Sequence, residues 1–139
     1  MTANSLKARL ESACKDLWWS SEADYPVEVI WHTLPESQQT GRIVLDNTLV
    51  RQIATCEEDA VIEMQPLERC FEKQLVPKSW HTAEDKQQLE QLRQLKALLI
   101  EALAHPQVYR CGEVEITLCI LGYVSGGIFA GVKTCVVET

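Results

Sequence analysis

Residues 105–139 constrain the fold of this chain more than any other stretch. Residues 113–118 alternate polar and apolar side chains, which is the period of a strand with one buried face. Residues 119–124 are apolar on both faces, as in a strand that crosses a covered sheet. The Ser-Gly-Gly sequence at 125–127 can reverse the chain, because glycine adopts positive φ, and residues 128–137 then read as the return strand. The sequence therefore predicts a long β-hairpin that carries the terminal carboxylate at a strand end.

Helical periodicity predicts two main helices before this hairpin. Between residues 5 and 18 the apolar side chains recur at intervals of three and four, which indicates an amphipathic helix. A second helix spans 82–104, with acidic residues in its first turn where the helix dipole favours them. His105-Pro106 ends it, because proline disfavours the α region for the residue before it.

The remaining predicted elements are short. They are a strand at 27–31, a helix at 46–53 capped by Asp46 or Asn47, a strand at 59–64, and a helix with Pro66 as its first residue. Strands with mostly hairpin-like neighbours and flanking helices predict an α+β layered fold. The length of 139 residues fits one domain, residues 1–139.

Charge and hydropathy narrow the range of functions expected for this chain. A net charge of −7 repels phosphate backbones, so we expect no direct binding of nucleic acid, whereas a basic protein partner would be attracted. Apolar runs are too short for a membrane span, and the first ten residues lack the apolar core of a signal peptide. We therefore expect a cytoplasmic protein that does not bind membranes.

The cysteines and histidines are the candidates for catalysis or metal binding. The six cysteines have no CxxC or paired Cys/His spacing, which favours small buried side chains in a reducing compartment over a zinc site or a disulfide framework. His32, His81 and His105 belong to no recognisable catalytic motif. The sequence thus predicts neither an enzyme nor a cofactor, although a Cys–His dyad assembled in space leaves a thiol hydrolase as an alternative.

Two groups of segments carry a resemblance to a known family. They are Pro106-Gln107-Val108-Tyr109-Arg110, Gly112-Glu113-Val114-Glu115, Ala130-Gly131 and Val136-Val137-Glu138-Thr139 near the end, and Ser21-Glu22, Tyr25-Pro26 and Glu28-Val29 near the start. Through these segments the chain resembles the nuclease A inhibitor family, small acidic proteins that block a sugar-non-specific DNA/RNA endonuclease. The resemblance implies a three-layer α/β/α sandwich with a mainly antiparallel central sheet, like that of pathogenesis-related protein 1.

The resemblance also implies a partner and the residues that contact it. The partner is a nuclease with Mg²⁺ in a basic cleft, and the inhibitor binds no metal of its own. Glu22 and the terminal Thr139 would approach the partner's metal with carboxylate oxygens. Trp80 belongs to a third contact segment, in which Ser79 stands where the family has an acidic residue.

Each of these residues also has an ordinary interpretation. Glu22 can be a solvated loop acid, Thr139 a frayed terminus and Trp80 a core side chain. On the level of the whole protein, the alternative is a regulatory protein-binding domain of the same fold whose partner is not a nuclease.

Overall fold

The structure is a computed structural model that describes residues 3–35, 45–57, 60–77 and 82–138. The helices are α1 (Ala3–Cys14), α2 (Asn47–Ala54), α3 (Leu67–Glu72) and α4 (Ala83–Ala102). The strands are β1 (Trp18–Ser20), β2 (Asp24–Pro26), β3 (Glu28–Thr33), β4 (Ile62–Gln65), β5 (Ala104–Cys111), β6 (Glu115–Tyr123) and β7 (Ile128–Val137).

The main sheet has five antiparallel strands in the order β3-β7-β6-β5-β4. The predicted terminal hairpin, β6 and β7, is confirmed and lies in the middle of this sheet. Gly126 and Gly127 connect its strands with φ of 56° and 77°, the left-handed conformation that glycine adopts without a steric cost. Strands β1 and β2 form a separate two-stranded sheet, the short hairpin, which the sequence patterns do not predict.

Strand β5 corrects the prediction for the segment after the long helix. That segment was expected only to stop α4, yet it pairs with β6 on one side and with β4 on the other. His105 has a φ of 49°, and the register with β6 shifts between Ala104 and Gln107. Pro106 lies at this irregularity, where its missing N–H does not interrupt a regular ladder. Helix α4 thus ends at Ala102, two residues before the predicted end, and Pro106 does not prevent a strand.

Side chains on the two faces of the main sheet enter separate hydrophobic clusters. The first face packs against α1, α3 and α4. The second face packs against α2, which is the one helix on that face among the described residues. The α+β prediction with an antiparallel sheet is thus confirmed, while the finer prediction, the pathogenesis-related three-layer sandwich, stays a prediction.

The first helix ends earlier than its apolar periodicity predicts. Helix α1 stops at Cys14, and Asp16 turns the chain with a φ of 55°. Leu17 is still buried, but Trp18, which continues the predicted apolar stripe, is 49% exposed in β1. The apolar stripe of α1 therefore ends before the turn at Asp16 and does not extend to residue 18.

The other helix starts agree closely with the sequence. Asp46 caps α2, because its Oδ1 accepts from the Leu49 N–H at 2.8 Å. Thr82 and Asp85 form a reciprocal capping box at the start of α4. Pro66 is the N-cap of α3 and not its first helical residue, a shift of one position.

Candidate functional site

Glu22 lies at the tip of the short hairpin, in a turn that we call the Glu22 turn (residues 20–24). Its strands pair over three positions, from Trp18 opposite Pro26 to Ser20 opposite Asp24. Glu22 is exposed, as are Ser20 and Asp24. Glu22 thus lies at the exposed end of a short two-stranded sheet.

Ser21 connects this turn to the end of the terminal hairpin. Its Oγ accepts a hydrogen bond from the Val137 backbone N–H at 3.1 Å. The same hydroxyl donates to the Ala23 carbonyl at 2.8 Å. Val137 is two residues before Thr139 in the chain, so the Glu22 turn lies beside the strand that leads to Thr139.

Gln74 connects the same hairpin to the segment that precedes Ser79 and Trp80. Its side-chain Oε1 accepts from the Ser20 N–H at 3.2 Å, and its Nε2 donates to the Ser20 carbonyl at 2.6 Å. Gln74 follows α3 and is five residues before Ser79. Both backbone polar groups of Ser20, at the start of the Glu22 turn, are therefore hydrogen-bonded to the segment that leads to the third predicted contact.

Apolar packing fixes the base of the short hairpin. Trp19 is 4% exposed and meets the ring of Phe71 in α3 edge to face, with ring centroids 5.3 Å apart. On the opposite strand the Pro26 carbonyl accepts from Thr134 Oγ1 in β7 at 3.0 Å. The hairpin thus rests on α3 and β7.

The residue before Thr139 is held on two sides. Glu138 forms an ion pair with Arg110 in β5, with Oε2 and Nη2 2.6 Å apart, and its N–H donates to the Val114 carbonyl at 3.0 Å. The hydrogen bond from Arg110 is the main reason that the pKa of the Glu138 carboxyl lies below its ordinary value of 4.5; partial burial opposes this shift, and the charges of Arg110 and Lys73 add to it. These two contacts therefore fix Glu138 against β5 and the segment before β6.

Of the predicted contact residues, the structure describes only Glu22. Ser79, Trp80 and Thr139 lie outside the described residues, and their roles stay predictions. The structure does bring the Glu22 turn into contact with the end of β7 and with the segment that follows α3, through Ser21 and Gln74. Ser21 belongs to a segment that carries the family resemblance. The role of Gln74 could not be predicted from the sequence, because its partner is 54 residues away along the chain.

Four of the six cysteine thiols are buried. All six thiols are free. Burial raises the pKa of the thiols of Cys14, Cys70, Cys111 and Cys119 to about 12, so these four are protonated at neutral pH and are poor nucleophiles. Within the ranges that the structure describes, no three or more His, Cys, Asp or Glu side chains come together as metal ligands. None of the helices in those ranges is long and apolar enough to cross a membrane.

The described part of the chain is thus a small α+β domain that presents an acid on a turn joined to its C-terminal strand. A family model described as nuclease A inhibitor-like protein matches residues 4–139, and the chain belongs to this family. A comparison with curated proteins gives no match. Membership confirms the resemblance seen in the sequence and indicates a nuclease inhibitor that acts on a nuclease partner.

Proposed function

We propose that this protein inhibits a metal-dependent, sugar-non-specific DNA/RNA endonuclease by placing carboxylate oxygens in its active site. The observation that carries the proposal is the hydrogen bond from the Val137 N–H to Ser21 Oγ. It holds the Glu22 turn beside the C-terminal strand, so that the Glu22 and terminal carboxylates can enter one cleft together.

The chemistry of the target explains why carboxylates suit this role. A nuclease that cuts DNA and RNA alike binds the phosphate in a basic cleft, and its divalent metal stabilises charge on the reacting oxygens. Mg²⁺ prefers hard oxygen ligands and keeps several waters. Carboxylate oxygens can therefore replace the oxygens of the scissile phosphate, and a net charge of −7 favours approach to such a cleft.

Trp80 and Ser79 complete the proposed interface. Tryptophan is frequent among the residues that dominate binding energy, because it buries a large rigid surface. Ser79 supplies a hydroxyl where the family has an acid, and this difference would change partner choice or affinity. The six free thiols suit the reducing cytoplasm, where such an inhibitor would protect the cell's own nucleic acid.

Parallel digestions of plasmid DNA and RNA test the proposal. Increasing amounts of the protein are added to a sugar-non-specific endonuclease, and we expect equal, stoichiometric loss of both activities. Inhibition of DNA cleavage with normal RNA cleavage contradicts occupation of a shared active site. A protein that affects neither digestion favours the regulatory domain with a non-nuclease partner.

Glu22→Gln tests the role of the carboxylate. The substitution keeps the shape and removes the charge, so inhibition should weaken by about 2–5 kcal/mol while the melting temperature stays nearly constant. Glu11→Gln, the same change at an exposed position of α1, is the matched control and should inhibit like the wild type. An unchanged inhibition constant for Glu22→Gln makes Glu22 an ordinary surface acid.

A C-terminal extension tests the terminal carboxylate. One added glycine converts the carboxylate of Thr139 into a peptide and moves the charge by about 3.5 Å. We expect the fold to tolerate the extension and the inhibition to weaken, with a Thr139 deletion assayed alongside. Equal potency in all three forms contradicts a role for the terminus.

A further inference from the structure

We propose that Ser21 and Gln74 are positioning residues, which hold the Glu22 turn in the conformation that the nuclease binds. The inference rests on the proposed function and adds two residues to it, neither of which needs to touch the partner. It follows from the hydrogen bonds around the turn and from the small size of the short hairpin.

The short hairpin cannot hold its own tip. Each of its strands has three residues, and an isolated two-stranded hairpin is marginal in water. The buried anchor, Trp19, lies in the strand below the turn, whereas Ser20, Ser21 and Glu22 are exposed. None of these three side chains is apolar, and Ala23, the one apolar residue of the turn, is only half-buried. Its conformation therefore depends on hydrogen bonds to other parts of the chain.

Ser21 uses the full hydrogen-bonding capacity of its hydroxyl. Oγ donates to the Ala23 carbonyl at 2.8 Å and accepts from the N–H groups of Val137 at 3.1 Å and Ala23 at 3.5 Å. A hydroxyl has one donor and two acceptor positions. The side chain thus sets both the internal shape of the turn and its position relative to β7. Alanine would remove all three bonds, and threonine would keep the hydroxyl.

Gln74 acts on the other side of the turn. Its amide group pairs with both the N–H and the carbonyl of Ser20, as a neighbouring strand would. This arrangement supplements the three residue pairs of the hairpin at the position next to the turn. Ser21 and Gln74 therefore restrain Glu22 from two directions, relative to the chain end and relative to the segment before Ser79.

The chain contains a matched control for Gln74. Gln88 in α4 makes the same type of double contact at the other end of β1: its Oε1 accepts from the Trp18 N–H at 3.0 Å, and its Nε2 donates to the Asp16 carbonyl at 2.7 Å. Loss of Gln88 would loosen the base of the hairpin without releasing the turn. Comparing substitutions of the two glutamines therefore distinguishes general support of the hairpin from positioning of Glu22.

Positioning has a quantitative consequence for binding. When the binding-competent conformation is only a fraction of the population, the apparent dissociation constant rises by the inverse of that fraction. If loss of one restraint leaves the turn competent about a tenth of the time, inhibition weakens roughly tenfold. The bonds are exposed, so their loss should change the melting temperature little.

The first test uses the free protein and needs no nuclease. In Ser21→Ala, the Val137 amide should exchange with solvent faster than in the wild type, and in Gln74→Ala the Ser20 amide should do so, as measured by NMR hydrogen exchange. Unchanged exchange at both amides overturns the inference, because the turn would then be held without these side chains.

The second test compares inhibition constants for Ser21→Ala, Ser21→Thr, Gln74→Ala and Gln88→Ala. We expect roughly tenfold weaker inhibition for Ser21→Ala and Gln74→Ala, with Ser21→Thr and Gln88→Ala close to the wild type. Equal weakening by Gln74→Ala and Gln88→Ala overturns the inference, because it would indicate general support of the hairpin. Ser21→Thr as weak as Ser21→Ala overturns it as well.

A double-mutant cycle shows whether Ser21 acts through Glu22. In a Glu22→Gln background, Ser21→Ala should weaken inhibition by much less than tenfold. The side chain at position 22 then carries no charge, so its misplacement costs little further inhibition. An additive effect overturns the inference. A wild-type protein that inhibits no sugar-non-specific nuclease overturns the proposed function and this inference with it, whereas a fully inhibitory Ser21→Ala protein overturns the inference alone.

Discussion

The terminal hairpin and the short hairpin of this protein are stabilised in opposite ways. The terminal hairpin pairs nine positions of β6 with β7, and it lies in the middle of the five-stranded sheet with most of its residues buried. The short hairpin pairs three positions and lies outside that sheet. Its position depends on contacts with α3, α4 and β7. One hairpin is part of the core, and the other is supported by it.

This difference fits the proposed roles of the two hairpins, in which the terminal hairpin supports the short hairpin that carries Glu22. Binding residues on loops and turns depend on a rigid scaffold that positions them, and in this protein the scaffold includes β7 itself. Val137 at the end of β7 donates to Ser21 in the Glu22 turn. The end of β7 therefore belongs to the hairpin within the main sheet and also restrains the short hairpin.

The largest expected effect comes from a substitution within the terminal hairpin. A Cβ at Gly131 would lie 1.7 Å from the Ile120 carbonyl oxygen of the paired strand, a distance that forces the backbones apart. Gly131→Ala should therefore lower the free energy of unfolding by about 4 kcal/mol, measured by urea denaturation. Gly126→Ala is the control: it meets no atom within 4 Å and costs about 1–2 kcal/mol through its left-handed backbone. Equal losses would show that the close pairing of β6 and β7 is not what stabilises this hairpin.

A smaller effect is expected at the anchor of the short hairpin. Trp19→Ala removes the buried ring that packs on Phe71 and should cost about 3 kcal/mol. Its neighbour Trp18 is 49% exposed, and Trp18→Ala should change stability by about 0.5 kcal/mol. Both are measured by urea denaturation. A loss at Trp18 as large as that at Trp19 would mean that the hairpin is not anchored through its buried face.

The smallest effect concerns the ion pair at the chain end. Because its folded-state pKa lies below 4.5, the Glu138 carboxylate contributes stability above pH 4.5 and loses it as the pH falls through the lowered value. The side chain is 53% exposed, so the contribution at pH 6 should be about 0.5 kcal/mol. Glu138→Gln should match the wild type in stability at pH 3 and fall slightly below it at pH 6. An NMR titration of the carboxyl with a midpoint at or above 4.5 would contradict the role of Arg110.

Local sequence determines those helices and strands whose predictive pattern lies within the element itself. The strand patterns of residues 113–124 and 128–137, on either side of Gly126 and Gly127, are enough to predict the terminal hairpin. The caps Asp46 and Thr82 mark the starts of α2 and α4, since a capping side chain bonds the backbone within three residues. The segments that resemble the nuclease A inhibitor family likewise identify the family, and one of them carries the proposal for Glu22.

Tertiary structure decided the features whose bonds join distant parts of the chain. Strand β5 forms despite Pro106, because β4 and β6 supply partners on both sides. The three-residue strands of the short hairpin are too short to carry a period, and Ser21 and Gln74 bind partners 116 and 54 residues away. Hydrogen bonds between a side chain and a distant backbone group leave no periodic pattern in the sequence, so the arrangement around Glu22 becomes visible only once the chain is folded.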